Sequence, residues 1–239
     1  MRALVLLPLF NEAPTVGRVL DQVRRWAPGH RVLIVDDGST DGSADVLRAY
    51  PEIAVLTHAQ NEGYGQSLID GFAYALAHGF DRVVTLDCDE QHEPQQIPQF
   101  LAALDGADGP VDIVSGSRYL DPDAGGDPAP PDRRALNAEI TERLRALTGY
   151  QITDAFCGFK AYRATALAQF QLTEPSYGMP LQVWIQAAAH EMRIIELATA
   201  RIYKNPERRF WGGLDDTDVR RRYYEEVLER EVTRWLRSS

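Results

Sequence analysis

Residues 82–94 read Arg82-Val83-Val84-Thr85-Leu86-Asp87-Cys88-Asp89-Glu90-Gln91-His92-Glu93-Pro94, an apolar run that ends in two carboxylates split by one small residue. Residues 82–86 have the length and character of a buried strand. Pro94 suits the first turn of a helix, where its missing N–H costs nothing. Two carboxylates at i and i+2 can both approach one cation as the chain leaves a sheet. Hard oxygen ligands suit Mg2+ or Mn2+, ions that bridge substrate phosphates. Gln91 offers an amide oxygen as a third ligand. A D-x-D triplet by itself is common in surface turns, so its weight rests on its surroundings.

Working outward, the same rhythm repeats. Strands are predicted over residues 3–8, 31–35, 53–57, 82–86 and 112–117. Helices are predicted over 14–26, 42–49, 65–77 and 94–104. Strand alternating with helix predicts an α/β fold, a mostly parallel sheet flanked by helices. Ligands of such sheets bind beyond the carboxyl ends of the strands. Polar clusters fall at those ends: Asn11-Glu12, Asp36-Asp37 and Asp87-x-Asp89. Farther on, helices are predicted over 134–147 and 179–190, a strand over 193–198 and a terminal helix over 215–236. That last helix carries a stripe of Val219, Tyr223 and Val227 beside Tyr224, Leu228 and Val232. Residues 120–132 hold four prolines, two glycines and four aspartates, the composition of a loop. A loop of this length acts as a connector or as a lid over a site.

Composition narrows the function. A chain of 239 residues with 44% hydrophobic content can bury a full core. Its net charge of −10 excludes non-specific nucleic-acid binding, which needs a basic footprint. The last 39 residues carry 10 basic and 8 acidic groups, so the body before them is more acidic still. A basic tail can meet an anionic acceptor or a membrane surface, or be a solvated helix face. Two cysteines, Cys88 and Cys157, make neither a disulfide framework nor a zinc set, and are expected as buried thiols in a reducing compartment. No run approaches the 18 apolar residues of a membrane span, and the apolar start reads as a strand rather than a signal peptide. The expected setting is cytoplasmic, with peripheral contact at the membrane's inner face as an option.

Two further segments complete the pattern. In Val35-Asp36-Asp37-Gly38-Ser39-Thr40-Asp41-Gly42-Ser43 the acidic pair can accept hydrogen bonds from a base or ribose, and Thr40 or Asp41 is expected to cap the next helix. In Asn61-Glu62-Gly63-Tyr64-Gly65 the glycines allow close backbone approach, with a nucleotide as one candidate. Neither segment is a P-loop or a G-x-G-x-x-G turn.

In this order and spacing, Pro8-x-x-Asn11-Glu12, Asp36-Asp37-Gly38-Ser39, Asn61-x-Gly63-x-Gly65 and Asp87-x-Asp89-x-Gln91-His92-x-Pro94 resemble the family 2 glycosyltransferases of GT-A fold. So do Gly116-Ser117-Arg118-Tyr119 and Thr153-Asp154 leading into Cys157-Gly158-Phe159-Lys160-x-Tyr162-Arg163. The nearest subgroup in appearance is the dolichyl- or polyprenyl-phosphate mannose synthases. The resemblance implies a Rossmann-like GT-A domain over residues 1–212, followed by an amphipathic helix over 213–239. It implies a metal-dependent, inverting hexosyl transfer from a nucleotide sugar, GDP-mannose by subgroup, to a lipid-phosphate acceptor. Pro8, Phe10, Glu12, Val35 and Asp37 would line the nucleotide site. Asp87, Asp89 and Gln91 would hold Mg2+ or Mn2+ and the donor diphosphate, with Asp89 essential to turnover. Arg118, on both the donor and acceptor side, and one of Arg208 or Arg209 (Arg209 foremost) would face the transferring sugar or acceptor phosphate; Arg133 or Arg134 could do the same. Arginine's bidentate fork suits that task.

The departures are specific. The family often has Lys where Tyr64 stands, and Cys88 replaces a common small residue between the aspartates. Residues 204–212 fit the family's terminal Arg and Gly only loosely. Glu231-x-x-Arg234-Trp235 resembles the Q-x-x-R-W element of processive polysaccharide synthases, but with Glu for Gln, so packing is the expectation. A lipid phosphate acceptor is already anionic and needs no base, whereas a hydroxyl acceptor would need one, for which Asp154 is the candidate. The competing readings are a transferase with a soluble hydroxyl acceptor, a nucleotidyltransferase lacking its usual glycine-rich loop, and a non-catalytic nucleotide-sugar binder. The terminal stripe has three possible partners: a bilayer surface, a twin subunit or its own domain.

Overall fold

The computed structural model describes residues 1–121, 126–204 and 213–237. β1 (Ala3–Leu9) leads through α1 (Val16–Trp26) to β2 (Arg31–Asp36). The short α2 (Ser43–Leu47), β3 (Ala54–Thr57), α3 (Tyr64–Ala77) and β4 (Arg82–Thr85) follow. One 3-10 turn, Pro94–Gln96, runs into α4 (Ile97–Ala103), then come β5 (Ile113–Ser117), α5 (Pro131–Thr148) and β6 (Lys160–Arg163). The chain closes with α6 (Ala164–Leu167), α7 (Met179–Ala189), β7 (Ile194–Ala198) and α8 (Thr217–Trp235).

The seven strands form one sheet in the order β3-β2-β1-β4-β6-β5-β7. β6 runs antiparallel to both β4 and β5, and the other pairings are parallel. Two reversals cancel, so β5 points the same way as β4 and their carboxyl ends share an edge with those of β1 and β2. β1 is apolar throughout because helices cover both faces of the sheet. Val5, Leu7 and Leu9 face Val16, Val19 and Leu20 of α1. Leu4 and Leu6 face Leu68 and Phe72 of α3 on the other side.

β6 is the strand that the apolar pattern does not predict. It contains a buried lysine, Lys160, whose ammonium donates to the Ser115 hydroxyl and lies 4.8 Å from the Trp184 ring centre. Burial lowers the pKa of this lysine, against the pull of Cys157 and the carboxylates Asp154 and Glu196.

α8 packs on α5 and α7 through Tyr224, Val227, Leu228 and Val232, so this part of the terminal stripe is covered by the chain's own domain, while Val219 stays exposed. Asp216 caps the helix, accepting from the amides of Asp218 and Val219 at 2.9 Å each. Glu231 is buried and accepts from Gln182 Nε2 at 2.7 Å and Gln186 Nε2 at 3.3 Å, a packing role for the Glu of the E-x-x-R-W stretch. Among the described residues no helix is long and apolar enough to cross a membrane. Both cysteines are buried free thiols.

Candidate active site

The carboxyl edge is built from loops that hydrogen-bond to one another. Asn11 has a left-handed φ of 54°, and its N–H donates to Ser39 Oγ at 2.9 Å. Its side-chain oxygen accepts from the Thr40 amide at 2.8 Å. The Glu12 amide donates to Ser43 Oγ at 3.0 Å, and the Ala13 amide to Asp41 Oδ2 at 2.8 Å. Thr40 and Asp41 therefore join two loops. Asp41 Oδ1 also accepts from the amide of Ser43, the first residue of α2, at 3.0 Å, as a capping side chain does, although the residue at the N-cap position itself is Gly42. The loops after β1 and β2 thus behave as one body.

The residues expected to line the nucleotide site divide by orientation. Pro8 and Val35 are register partners in the sheet with buried side chains, so toward the edge they can offer only backbone. Phe10 and Glu12 are half-buried in the loop beyond β1. Asp37 is turned inward. Its Oδ1 accepts from the Glu62 amide at 2.7 Å and faces His58 Nδ1 at 2.7 Å, while Oδ2 accepts from the Gly63 amide at 2.9 Å. It is the anchor of the 58–63 turn. Gly38 explains the fit: φ is 73°, and a Cβ there would fall 2.5 Å from the Gln60 carbonyl carbon.

His58 is a residue that sequence reasoning missed, and a lone histidine after a strand gave no signal for it. Burial disfavours its charge, but Asp37, Glu62 and Asp70 outweigh burial and raise its pKa. Its Nε2 lies 3.1 Å from Asp70 Oδ2, so the imidazole links the Asp37 anchor to α3. Among the described residues, the ligand-capable atoms of His58, Glu62 and Asp70 lie within 4.8 Å of one another, apart from the aspartates of the D-x-D triplet.

Asp87 and Asp89 stand just beyond β4, both half-buried. Asp87 Oδ1 accepts from the Tyr64 hydroxyl at 3.2 Å. Burial, then Asp87, hold the Tyr64 pKa well above the usual phenol range, so it stays a neutral donor. Asp89 Oδ1 accepts from the Gln91 amide at 2.9 Å, and Glu90 between them has a left-handed φ of 62°. Glu90 turns away to pair with Arg18 at 2.9 Å and Lys204 at 3.4 Å. Gly158 lies against the site, where a Cβ would sit 2.9 Å from Asp87 Oδ2. By their chemistry, two carboxylates and the Gln91 side-chain oxygen are a hard-oxygen set of the kind that suits Mg2+ or Mn2+.

His92 shapes this loop from beneath and is committed elsewhere. Its Nδ1 accepts from the Asp87 amide at 3.0 Å, and its ring also bonds Cys157. Burial works against charge on the ring, while Asp87, Cys157 and Asp89 draw its pKa up to about 9. The Asp87 amide aimed at Nδ1 favours the neutral ring, and a cation on the two aspartates would weaken their pull.

Arg118 follows β5 and is held by Asp154. Its Nε donates to Oδ2 at 2.7 Å and its Nη2 to Oδ1 at 2.9 Å. Asn137 Nδ2 and the Phe156 amide also donate to Oδ1, at 2.8 and 3.1 Å. Burial alone would raise the Asp154 pKa, but Arg118 and Asn137 bring it down to about 2. With no exposed surface and both oxygens engaged, Asp154 is committed to Arg118, which counts against it as a candidate base. Asn137 and Glu196 were also missed by sequence reading. Glu196 receives the Thr153 amide and hydroxyl at 2.8 and 2.7 Å and so fixes the segment that carries Asp154. Arg133 is half-buried and Arg134 exposed in the first turn of α5. Arg208, Arg209 and residues 122–125 of the proline-rich loop lie outside the described residues.

An α/β sheet with acidic loops after β2 and β4 and a carboxylate-held arginine after β5 is the layout of a GT-A glycosyltransferase. Residues 4–170 match Glycosyl transferase family 2, and the chain belongs to that family. An undecaprenyl-phosphate mannosyltransferase of Micrococcus luteus is 31% identical over 90% of this chain and 89% of its own. A polyprenol monophosphomannose synthase of Mycolicibacterium smegmatis is 32% identical over 72% of this chain and 65% of its own. A glucosyl-3-phosphoglycerate synthase of Mycobacterium tuberculosis, crystallised with Mn2+, UDP and glucosyl-3-phosphoglycerate, has the same fold. It superposes with a TM-score of 0.74 over 96% of this chain and 79% of that one, at 20% identity.

Proposed function

We propose that the chain transfers a hexose, mannose from GDP-mannose as the leading donor, to a polyprenyl phosphate, with inversion at the anomeric carbon. The observation that carries this reading is the Arg118–Asp154 pair at the same sheet edge as Asp87 and Asp89. It supplies a fixed cation for an anionic acceptor, and Asp154, wholly buried with both oxygens engaged by Arg118 and Asn137, is spent on holding that cation rather than on serving a hydroxyl acceptor. The names of the mannosyl relatives from M. luteus and M. smegmatis support the same choice.

Asp87, Asp89 and Gln91 would hold Mg2+ or Mn2+, which supplies Lewis-acid stabilisation of charge on the departing diphosphate. Phe10, Glu12 and the strand-end backbone at Pro8 and Val35 flank the nucleoside, with Asp37 holding the loop beside it. An acceptor phosphate oxygen forms the bond to the anomeric carbon while the bond to the nucleoside diphosphate breaks, its electron pair leaving with that group. Arg118 orients the acceptor, with Arg133 or Arg134 as a further phosphate contact. The phosphate is already ionised, so the chain needs only to position it. This reading places the enzyme peripherally on the cytoplasmic face of a membrane.

A panel of GDP- and UDP-linked sugars with Mn2+, scored by thermal shift and then by transfer to undecaprenyl phosphate, tests the assignment. Stabilisation by GDP-mannose and formation of an acid-labile lipid-linked sugar are expected. Transfer only to soluble hydroxyl acceptors would overturn it.

A further inference from the structure

The Gly63-Tyr64-Gly65 turn meets another piece of the protein. A Cβ on Gly63 would fall 2.2 Å from the Pro175 carbonyl oxygen, and one on Gly65 would fall 2.3 Å from that of Glu174. The Gln66 amide donates to Pro175 O at 2.9 Å. The close approach that these glycines permit is therefore to the backbone of residues 174–176. Between the two glycines, Tyr64 stacks on Tyr177 with ring centres 5.8 Å apart and planes 13° apart, and its hydroxyl reaches Asp87.

The 174–178 segment is itself held from α8. Tyr223 donates its hydroxyl hydrogen to Glu174 Oε1 at 2.6 Å and accepts from the Gly178 amide at 2.9 Å. Arg230 Nη2 reaches Glu174 Oε2 at 2.8 Å. Gln182 Oε1 fixes the Glu174 amide at 2.8 Å. Glu174 is buried, so its carboxylate depends on these donors. An unbroken run of contacts thus leads from the terminal helix to Asp87.

We propose that Glu174 and Tyr223 are positioning residues for the donor side: Tyr223, on α8, grips Glu174 and so presses residues 174–178 onto the Gly63–Gly65 turn, which holds the Tyr64 hydroxyl on Asp87. α8 is on this view part of the catalytic domain's working structure. The inference rests on the reading that Asp87 binds the donor diphosphate through a cation.

The test is a double-mutant cycle of Tyr223→Phe with Tyr64→Phe on the full chain, with Glu174→Gln as a second probe of the clamp. Tyr223→Phe removes one hydroxyl and keeps the ring, so folding is retained, and its melting temperature is recorded beside wild type. In the free protein, faster amide exchange at Gln66 is expected. With Mn2+ present, donor KM should rise by about threefold to tenfold, the range of coupling through packed networks, with a smaller change in kcat. In the Tyr64→Phe background the same substitution should leave donor KM unchanged. Equal effects in both backgrounds, or a lower melting temperature with unaltered donor KM, would overturn the proposal. Asp87→Asn separates the underlying reading: donor affinity equal to wild type there would sink the donor-site assignment, while Gln66 exchange still scores the clamp.

Discussion

Asp154 grips Arg118 with both carboxylate oxygens, at 2.7 Å to Nε and 2.9 Å to Nη2, while its own side chain is wholly buried. The Arg118 side chain is four-fifths covered, with 19% of it exposed. A fork whose Nε edge is occupied by a carboxylate is fixed in orientation before any phosphate arrives, which lowers the ordering cost of binding one. On the proposed function, Asp154 would act on the acceptor through Arg118.

Replacing Asp154 by Asn should therefore harm stability and acceptor handling together. Removing one partner of a buried pair costs about 3–5 kcal/mol, and the partial exposure of Arg118 favours the lower end. The pH signature is separate. Asp154 has a folded pKa depressed to about 2, so its stabilisation is present above the unfolded carboxylate pKa and lost as pH falls through 2. Urea melts between pH 5 and pH 2 should show wild type losing stability on the order of 2 kcal/mol more than Asp154→Asn. Parallel curves for the two proteins would refute the assignment.

Asp89→Ala should cut transfer by about a hundredfold or more, as loss of charge stabilisation at a leaving group does. Asp89 is half-buried in a loop, so the melting temperature should move little. Initial rates across a Mn2+ titration check this, and full metal-dependent turnover in the variant would contradict the role given to Asp89.

Much of this was legible in the sequence because the physics is local. β1 and β2 are apolar runs since both faces are covered, and Asp87-x-Asp89 follows such a run at a fixed spacing. β6 was not legible: Lys-Ala-Tyr-Arg is too short for periodicity, and its lysine is tolerated only because distant Ser115 and Trp184 receive it. Nor could a carboxylate's task be read from its letter. Asp37 and Asp154 both sit in motif segments, yet one anchors a turn and the other an arginine. His58, Asn137 and Glu174 bind partners distant in sequence that only tertiary contact brings close.

Gly38→Ala isolates a backbone requirement in the turn held by Asp37. The left-handed φ of 73° costs a non-glycine residue about 1 kcal/mol, and the 2.5 Å approach to the Gln60 backbone adds overpacking of about 1–3 kcal/mol. Gly29→Ala is the matched control, since φ is 82° there and no atom lies within 4 Å of the new Cβ. Chemical denaturation should give Gly38→Ala a clearly lower midpoint than Gly29→Ala; equal midpoints would show that the Gln60 backbone yields.

His58 should make the 58–63 turn sensitive to alkali. Its pKa is raised in the folded protein because Asp37, Glu62 and Asp70 outweigh the cost of burial. A raised folded pKa contributes stability that is fully present below the unfolded histidine value and is lost as pH rises through the folded one. Wild type should therefore lose stability on going from about pH 6 to pH 9, near and above the ordinary histidine pKa, relative to His58→Gln. The loss should appear as faster amide exchange at Glu62 and Gly63, whose N–H groups bind the same Asp37 carboxylate at 2.7 and 2.9 Å. If His58→Gln and wild type keep the same stability difference across that range, the imidazolium is not what ties Asp37 to Asp70.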